Sequence, residues 1–424
     1  PMRHHPSPVL RLPSEHELPH TPRPYVNHAV QLKPCFSRRE RLERLSALGL
    51  NVFDFPAEMV TGCDMLSDSG TTAMTNEQWA ALHLGDESYG SNRGYFLLGE
   101  QIRATFGEEF FSFPGEGEPC AFLFHQGRAA EHALFSVLGR RRTGMIVPSN
   151  GHFDTTRANL ELQGIRATDL FSPALRSRDR ATRFQGNMDV ERLGELLERH
   201  GDAVPLVMLT ITNNTGGGHP VAMENIRAVA RLARQHGKPF LLDACRFAEN
   251  AWFIRRHEPG YADATIEEIV HEAFSLADGF LVSFKKDGMV NMGGGLFLRK
   301  DGAMQRCFPG LAAELTDAQI AREGNPTYGG LSGRDIMALV HGLRTSTDLA
   351  YLGHRIGQVQ ALGEGLARAG VPVSLPTGGH AVYIEIDQFF ADTDMPRNGF
   401  GGVALSASLL AAYGYRTCEL GAFS

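Results

Sequence analysis

The sequence predicts an α/β fold, a large domain around a mostly parallel sheet with a smaller α/β-like piece beside it. Three observations carry this prediction. From about residue 120 onward, short apolar runs alternate with stretches of helical periodicity. Most of these apolar runs end abruptly in polar or charged residues. After "GNPTYGGLSGRD" the character changes, and helical patterns dominate from about 333 to 370 before "HAVYIEID" opens the closing piece.

Taken in order, "CAFLF" reads as a strand leading into "QGRAAEHALFSVL", whose apolar positions fall at helical spacing. "GMIVPS" is a second strand followed by a turn and a helix. "VPLVMLTIT" is rich in β-branched residues and reads as a strand. Beyond "NNTGGGHP", the run "VAMENIRAVARLARQHG" is an amphipathic helix with a glycine stop. "KPFLLDA" is a strand, "TIEEIVHEAFSLA" a helix and "GFLVSF" a strand that ends on two adjacent lysines. The expected boundaries are an N-terminal arm over 1–30, a small domain split between 31–70 and 349–424, and a large domain over 71–348.

Composition narrows the function classes. The chain has 424 residues, 42% hydrophobic and 21% charged, which suits two or more domains with a sizeable core. A formal charge of −7 gives no reason to expect nucleic acid or an anionic membrane as partner. No uncharged apolar stretch of about 18 residues suggests a membrane span. Six scattered cysteines without a C-x-x-C pair fit a reduced, cytoplasmic protein, and 17 histidines without ligand spacing argue against zinc.

In parallel sheets ligands bind beyond the carboxyl ends of the strands, so the strand exits matter most. They are His125–Gln126–Gly127–Arg128, Asn213–Asn214, Asp243–Ala244–Cys245–Arg246 and Ser283–Phe284–Lys285–Lys286. An acid, an amine and amide or basic donors thus reach one rim. That set suits pyridoxal phosphate: a lysine joins the aldehyde, a carboxylate pairs with the ring nitrogen, and the donors hold the phosphate. A nicotinamide enzyme would show G-x-G-x-x-G after the first strand, but "GEGEPC" lacks the third glycine. A Walker A loop is absent as well. The bland alternatives are a surface position for the two lysines, and a helix cap or an Arg246 salt bridge for Asp243.

Six separated motifs make the set more specific: "GDESYG", "FHQGRAAE", "DACRFAENAWF", "SFKKDGMVNMGGG", "NPTYGGLSGRD" and "GGHAVY". Together, in order and from about residue 40 to the end, they resemble the β-eliminating lyases, the family of tryptophanase and tyrosine phenol-lyase. The resemblance implies the type I pyridoxal-phosphate fold and a homotetramer with active sites at subunit interfaces. It implies that Lys286 is the Schiff-base lysine and that Asp243 holds the ring nitrogen. By the same resemblance Arg246 and Asn214 contact the cofactor's phenolic oxygen. Gln126, Gly127, Arg128 and Ser283 form the phosphate cradle, and Phe153 stacks on the ring. Tyr89 becomes the general acid toward the leaving group, and Asp154 a catalytic residue that acts near a ring N–H or orients a proton donor. Ser69, Cys418 and Leu420 adjoin the substrate, and Glu87, with backbone oxygens of Gly70 and Asn291, matches a potassium site.

The implied activity is carbon–carbon β-lysis of tryptophan or a related aromatic amino acid to the arene, pyruvate and ammonia. A β-replacement or cysteine-conjugate lyase, and a cofactor-binding pseudoenzyme, remain open. Asp154 agrees with the tryptophanase pattern, where tyrosine phenol-lyase has threonine. Leu420 stands where tyrosine phenol-lyase has the arginine that recognises phenol. Other positions depart from both patterns. Cys245 replaces a small or hydroxyl residue, Phe284 a smaller one, and "NNTGGGH" carries histidine where the family favours glutamine. About ten extra residues near "EEFFSFPGEGEP" are expected to reshape the entrance. The family continues past "ELGAF" with the arginine that binds the substrate carboxylate, so a further segment beyond Ser424 is expected.

Overall fold

The computed structural model describes residues 25–26, 32–177, 180–396 and 399–420. The arm expected over 1–30 lies outside them, Tyr25 and Val26 excepted. Among the described residues seven strands form: β1 (Ala121–Phe124), β2 (Ile146–Ser149), β3 (Arg166–Asp169), β4 (Val207–Thr210), β5 (Phe240–Asp243), β6 (Gly279–Ser283) and β7 (Gly294–Leu298). Five of them make one sheet in the order β1-β7-β6-β5-β4. Within it β4, β5 and β6 run parallel, and β7 is antiparallel to both β6 and β1.

The pair β2-β3 is parallel and continues this sheet beyond β4 through a side chain. Buried Asn150 accepts from the Thr210 N–H at 2.7 Å and donates to the Thr210 carbonyl at 2.9 Å. A primary amide carries one acceptor and a donor group, so it satisfies both backbone groups as a strand neighbour would.

Alternation along the strands fills two cores. Val207, Leu209, Phe240, Leu242, Phe280 and Val282 belong to one cluster. Their intervening neighbours Met208, Leu241 and Leu281 belong to the other. Successive side chains of a strand point to opposite faces, so both faces of this sheet are covered by helices. The helix Met223–Gln235 contributes Ile226 and Val229 to the first core, and the helix Gly127–Arg141 contributes Leu134 and Val137 to the second. A third, separate cluster joins Leu45, Phe55 and Met59 to Leu410 and Ala411 of the helix Gly401–Tyr413. The helical stretch expected from 333 to 370 forms as Gly333–Ser346 and Leu349–Arg368.

The closing piece takes an irregular form, and one sequence expectation changes. "HAVYIEID" forms no extended strand; its ladder is a single bridge between Ile384 and Val373. An isolated two-strand pairing gains little, and no third strand lies beside it among the described residues. The segment around "EEFFSFPGEGEP" does not approach the ligand rim. The Glu109 carbonyl accepts from Lys300 N–H at 2.9 Å, just beyond β7, and Cys120 accepts from Leu298 at 2.7 Å. Since β7 is antiparallel to β1, its end lies at the start of β1. The insertion therefore packs at the opposite end of the sheet from the β1 exit.

Candidate active site

The exits of β1, β4, β5 and β6 converge on one cavity of about 620 Å³, counting the solvent at its mouth. From β1 come Gln126, Gly127 and Arg128, and from β4 the loop bearing Asn214. From β5 come Asp243, Cys245 and Arg246, and from β6 Ser283, Lys285 and Lys286. Phe153 and Ser69 close the remaining wall. All nine residues expected to bind the cofactor, together with Ser69, are therefore brought to one place.

The cradle has a backbone cause. The helix Gly127–Arg141 begins at the β1 exit, and its N-cap Gln126 makes no side-chain cap bond. Ala129 N–H turns back to the Gln126 carbonyl at 3.2 Å, and the helix dipole at this end favours an anion. A Cβ on Gly127 would lie 2.9 Å from the Ser283 Cβ, so glycine lets β1 and β6 exits close together. A Cβ on Gly294 would meet the Gln126 carbonyl carbon at 2.3 Å, which explains one member of the glycine run after the lysines.

Charge is organised around the cavity. Asp243 is buried, and burial pushes its carboxyl up; Cys245, Lys286 and Arg246 pull the other way. The side-chain donor described for it is the Cys245 thiol at 3.3 Å. A buried acid so sparsely paired is suited to a cationic partner. Lys285 is pushed down by burial, and further by Lys286 and Arg128. Arg246 is held charged: Asp68 grips it with two hydrogen bonds of 3.0 and 2.9 Å. Burial opposes ionisation of Asp68, but Arg246, His380 and Lys286 hold its carboxyl well below the usual range.

Other expected residues lie elsewhere. Tyr89 is 64% exposed and outside the cavity; its hydroxyl accepts from Asn325 N–H at 3.2 Å, and its ring packs 5.4 Å from Tyr328. Asp154 is the exposed first residue of the helix Asp154–Glu161, close enough to Cys418 to raise that thiol alongside burial and Glu419. Leu420 is 45% exposed. Asn291 donates to the Gly70 carbonyl at 2.8 Å, while Glu87 pairs with Arg334 at 2.9 Å. No described contact joins Glu87 to Gly70 or Asn291.

Several contributors were missed. Asp68 carries no local signal, since the fold alone brings it to Arg246. Glu131 is four residues after Gly127 on the same helix face, a spacing that points it to the cavity wall. It accepts from Thr155 at 3.0 Å and Thr156 at 2.7 Å, fixing the turn that carries Phe153. Glu323 lies 2.8 Å from His125 Nδ1, and the His125 Nε2 then accepts from the Gln126 amide at 3.0 Å. Asp287 caps the helix Phe247–His257 by accepting from Ala248 and Glu249 N–H.

The sequence matches the model of the Beta-eliminating lyase family over residues 64–422. The chain belongs to that family. As a β-eliminating lyase it is 43% identical over 398 residues to a tryptophanase of Hyphomonas neptunium, covering 94% of this chain and 83% of that protein. It is 45% identical over 400 residues to a tryptophanase of Rhodobacter capsulatus, with the same shares covered. A tyrosine phenol-lyase of Lacrimispora saccharolytica is 38% identical over 405 residues, 95% of this chain and 82% of that one. Among solved structures, a serine palmitoyltransferase from S. paucimobilis with bound PLP-myriocin aldimine superposes with a TM-score of 0.57 at 15% identity, covering 90% of this chain and 89% of that one. The lyase thus has the type I pyridoxal-phosphate fold. It is a pyridoxal-phosphate-dependent lyase, and its cavity fits that cofactor: a helix start without a side-chain cap, a buried acid with no ion pair among the described residues, and a lysine at the rim. Among the described residues no helix is long and apolar enough to cross a membrane.

Proposed function

We propose that this enzyme cleaves the Cβ–Cγ bond of tryptophan or a close aromatic relative, releasing indole, pyruvate and ammonia with uptake of one water. The observation that carries the reading is the convergence of Lys286, Asp243 and the Gly127 helix start on one cavity; the choice of leaving group rests on the sequence at Leu420 and Asp154. Bound pyridoxal phosphate supplies an electron sink for the carbanion at Cα. Lys286 would anchor it and later take the Cα proton. Asp243 would keep a proton on the ring nitrogen, while Asn214 and Arg246 would bond the ring oxygen. Gln126, Gly127, Arg128 and Ser283 would hold the phosphate, and Phe153 would cover the ring.

Tyr89 is the proposed acid that protonates the leaving carbon. Its exposure and its absence from the lining of the chain's own cavity favour a role at a subunit interface, and the homotetramer is the assembly that the family resemblance implies. A potassium ion on Glu87, Gly70 and Asn291 belongs to the same proposal, and it requires Glu87 to leave Arg334. Cytoplasmic location follows from the free cysteines only as an expectation.

For the leaving group, Leu420 offers an apolar wall where phenol would need a polar partner for its hydroxyl. A site built to bond a hydroxyl rejects analogues lacking it by about 10⁴–10⁵, and Leu420 cannot make that bond. Turnover on tryptophan and tyrosine, measured side by side by indole, phenol and pyruvate release, tests the reading. Faster phenol than indole release would overturn it.

A further inference from the structure

Cys245 stands where the family carries a small or hydroxyl residue, and its surroundings give the thiol a defined task. Its sulfur accepts from the backbone N–H of Ser283 at 3.2 Å. Because that N–H can only donate, the thiol's own proton is free to point at Asp243 Oδ1, 3.3 Å away. The carbonyl of the same residue accepts from Asp287 N–H at 3.4 Å, immediately after Lys286. One residue therefore ties together the acid on β5, the cradle residue at the end of β6 and the lysine-bearing turn. Cys245 also lines the cavity, together with Lys286 and Phe153.

We propose that Cys245 is a positioning residue for the cofactor's ring nitrogen: its S–H engages Asp243 Oδ1, leaving Oδ2 for the ring. This rests on the cofactor reading above. Burial, and then the adjacent Asp243, push the thiol up to about 12, so it stays protonated and remains a donor at working pH. The bond also favours the charged form of Asp243, together with Lys286, Arg246 and His152 and against burial and Glu131. An Asp243 kept charged holds its shared proton on the ring nitrogen more firmly. An alanine here would leave the buried carboxylate without that donor, whereas serine would replace it.

The test compares wild type, Cys245→Ala and Cys245→Ser as full-length enzymes, each titrated with pyridoxal phosphate alone. Cofactor dissociation constant and the position of the visible absorption band are read together, with Asp243→Asn as a reference. A hydrogen bond to a charged group predicts about tenfold weaker cofactor binding for Cys245→Ala and a displaced band. Cys245→Ser should restore both. Alanine matching wild type, or serine behaving like alanine, overturns the role. If Asp243→Asn weakens binding while alanine does not, the cofactor reading stands and only the thiol's part falls. If Asp243→Asn also leaves binding and spectrum unchanged, the cofactor reading itself is wrong.

Discussion

Replacing Asp68 with asparagine removes the partner that holds Arg246 at the cavity. The Arg246 side chain is only 8% exposed, that of Asp68 30%. With about 4 Å between charge centres and an effective dielectric near 20, their attraction is about 4 kcal/mol. Asparagine keeps one acceptor of the two, and removing one partner of a buried pair typically costs about 3–5 kcal/mol. We expect a loss of about 3 kcal/mol in Asp68→Asn and weaker cofactor binding, because Arg246 can then turn away from the cavity. Asp68 has a lowered pKa in the folded state, so its contribution is present above the unfolded value, about 3.9, and is lost only as pH falls through the folded one. The penalty should therefore be constant between about pH 5 and 9. Urea unfolding of the cofactor-free protein, with a parallel cofactor titration, measures both effects. A loss below about 1 kcal/mol would refute the argument that this pair is a buried, poorly screened one.

Lys286→Ala should lose cofactor that borohydride can fix to the chain, and Lys285→Ala should keep it; peptide mapping decides, and a label on Lys285 would show the register to be wrong. Tyr89→Phe should slow indole release by about 10²–10⁴ while leaving cofactor binding intact. Unchanged turnover on the native substrate would remove Tyr89 from the mechanism.

The residues that line the cavity were legible because they sit at strand exits. Asp243, Lys286 and Gln126 each follow an apolar run by one or two residues, and a parallel sheet gathers such positions at one edge whatever lies between them. The leaving-group side was less legible. Tyr89 and Asp154 are marked only by their motifs, and nothing local in a Gly/Ser loop or at a helix start says what they face. The insertion before β1 shows the same limit: its length was visible, but the antiparallel pairing of β7 put it at the far end.

The amino-acid sequence by itself determined the strand–helix alternation, the residues at each exit and the glycines that let backbones meet. These depend on short-range periodicity and on the space a side chain needs. Tertiary structure decided which distant groups share a charge. Asp68 reaches Arg246 across 178 residues of chain, Glu323 reaches His125 across 198, and Asn150 stands in for a strand beside Thr210. Burial, which makes such pairs strong, is a property of the packed layers and is not carried by any one segment.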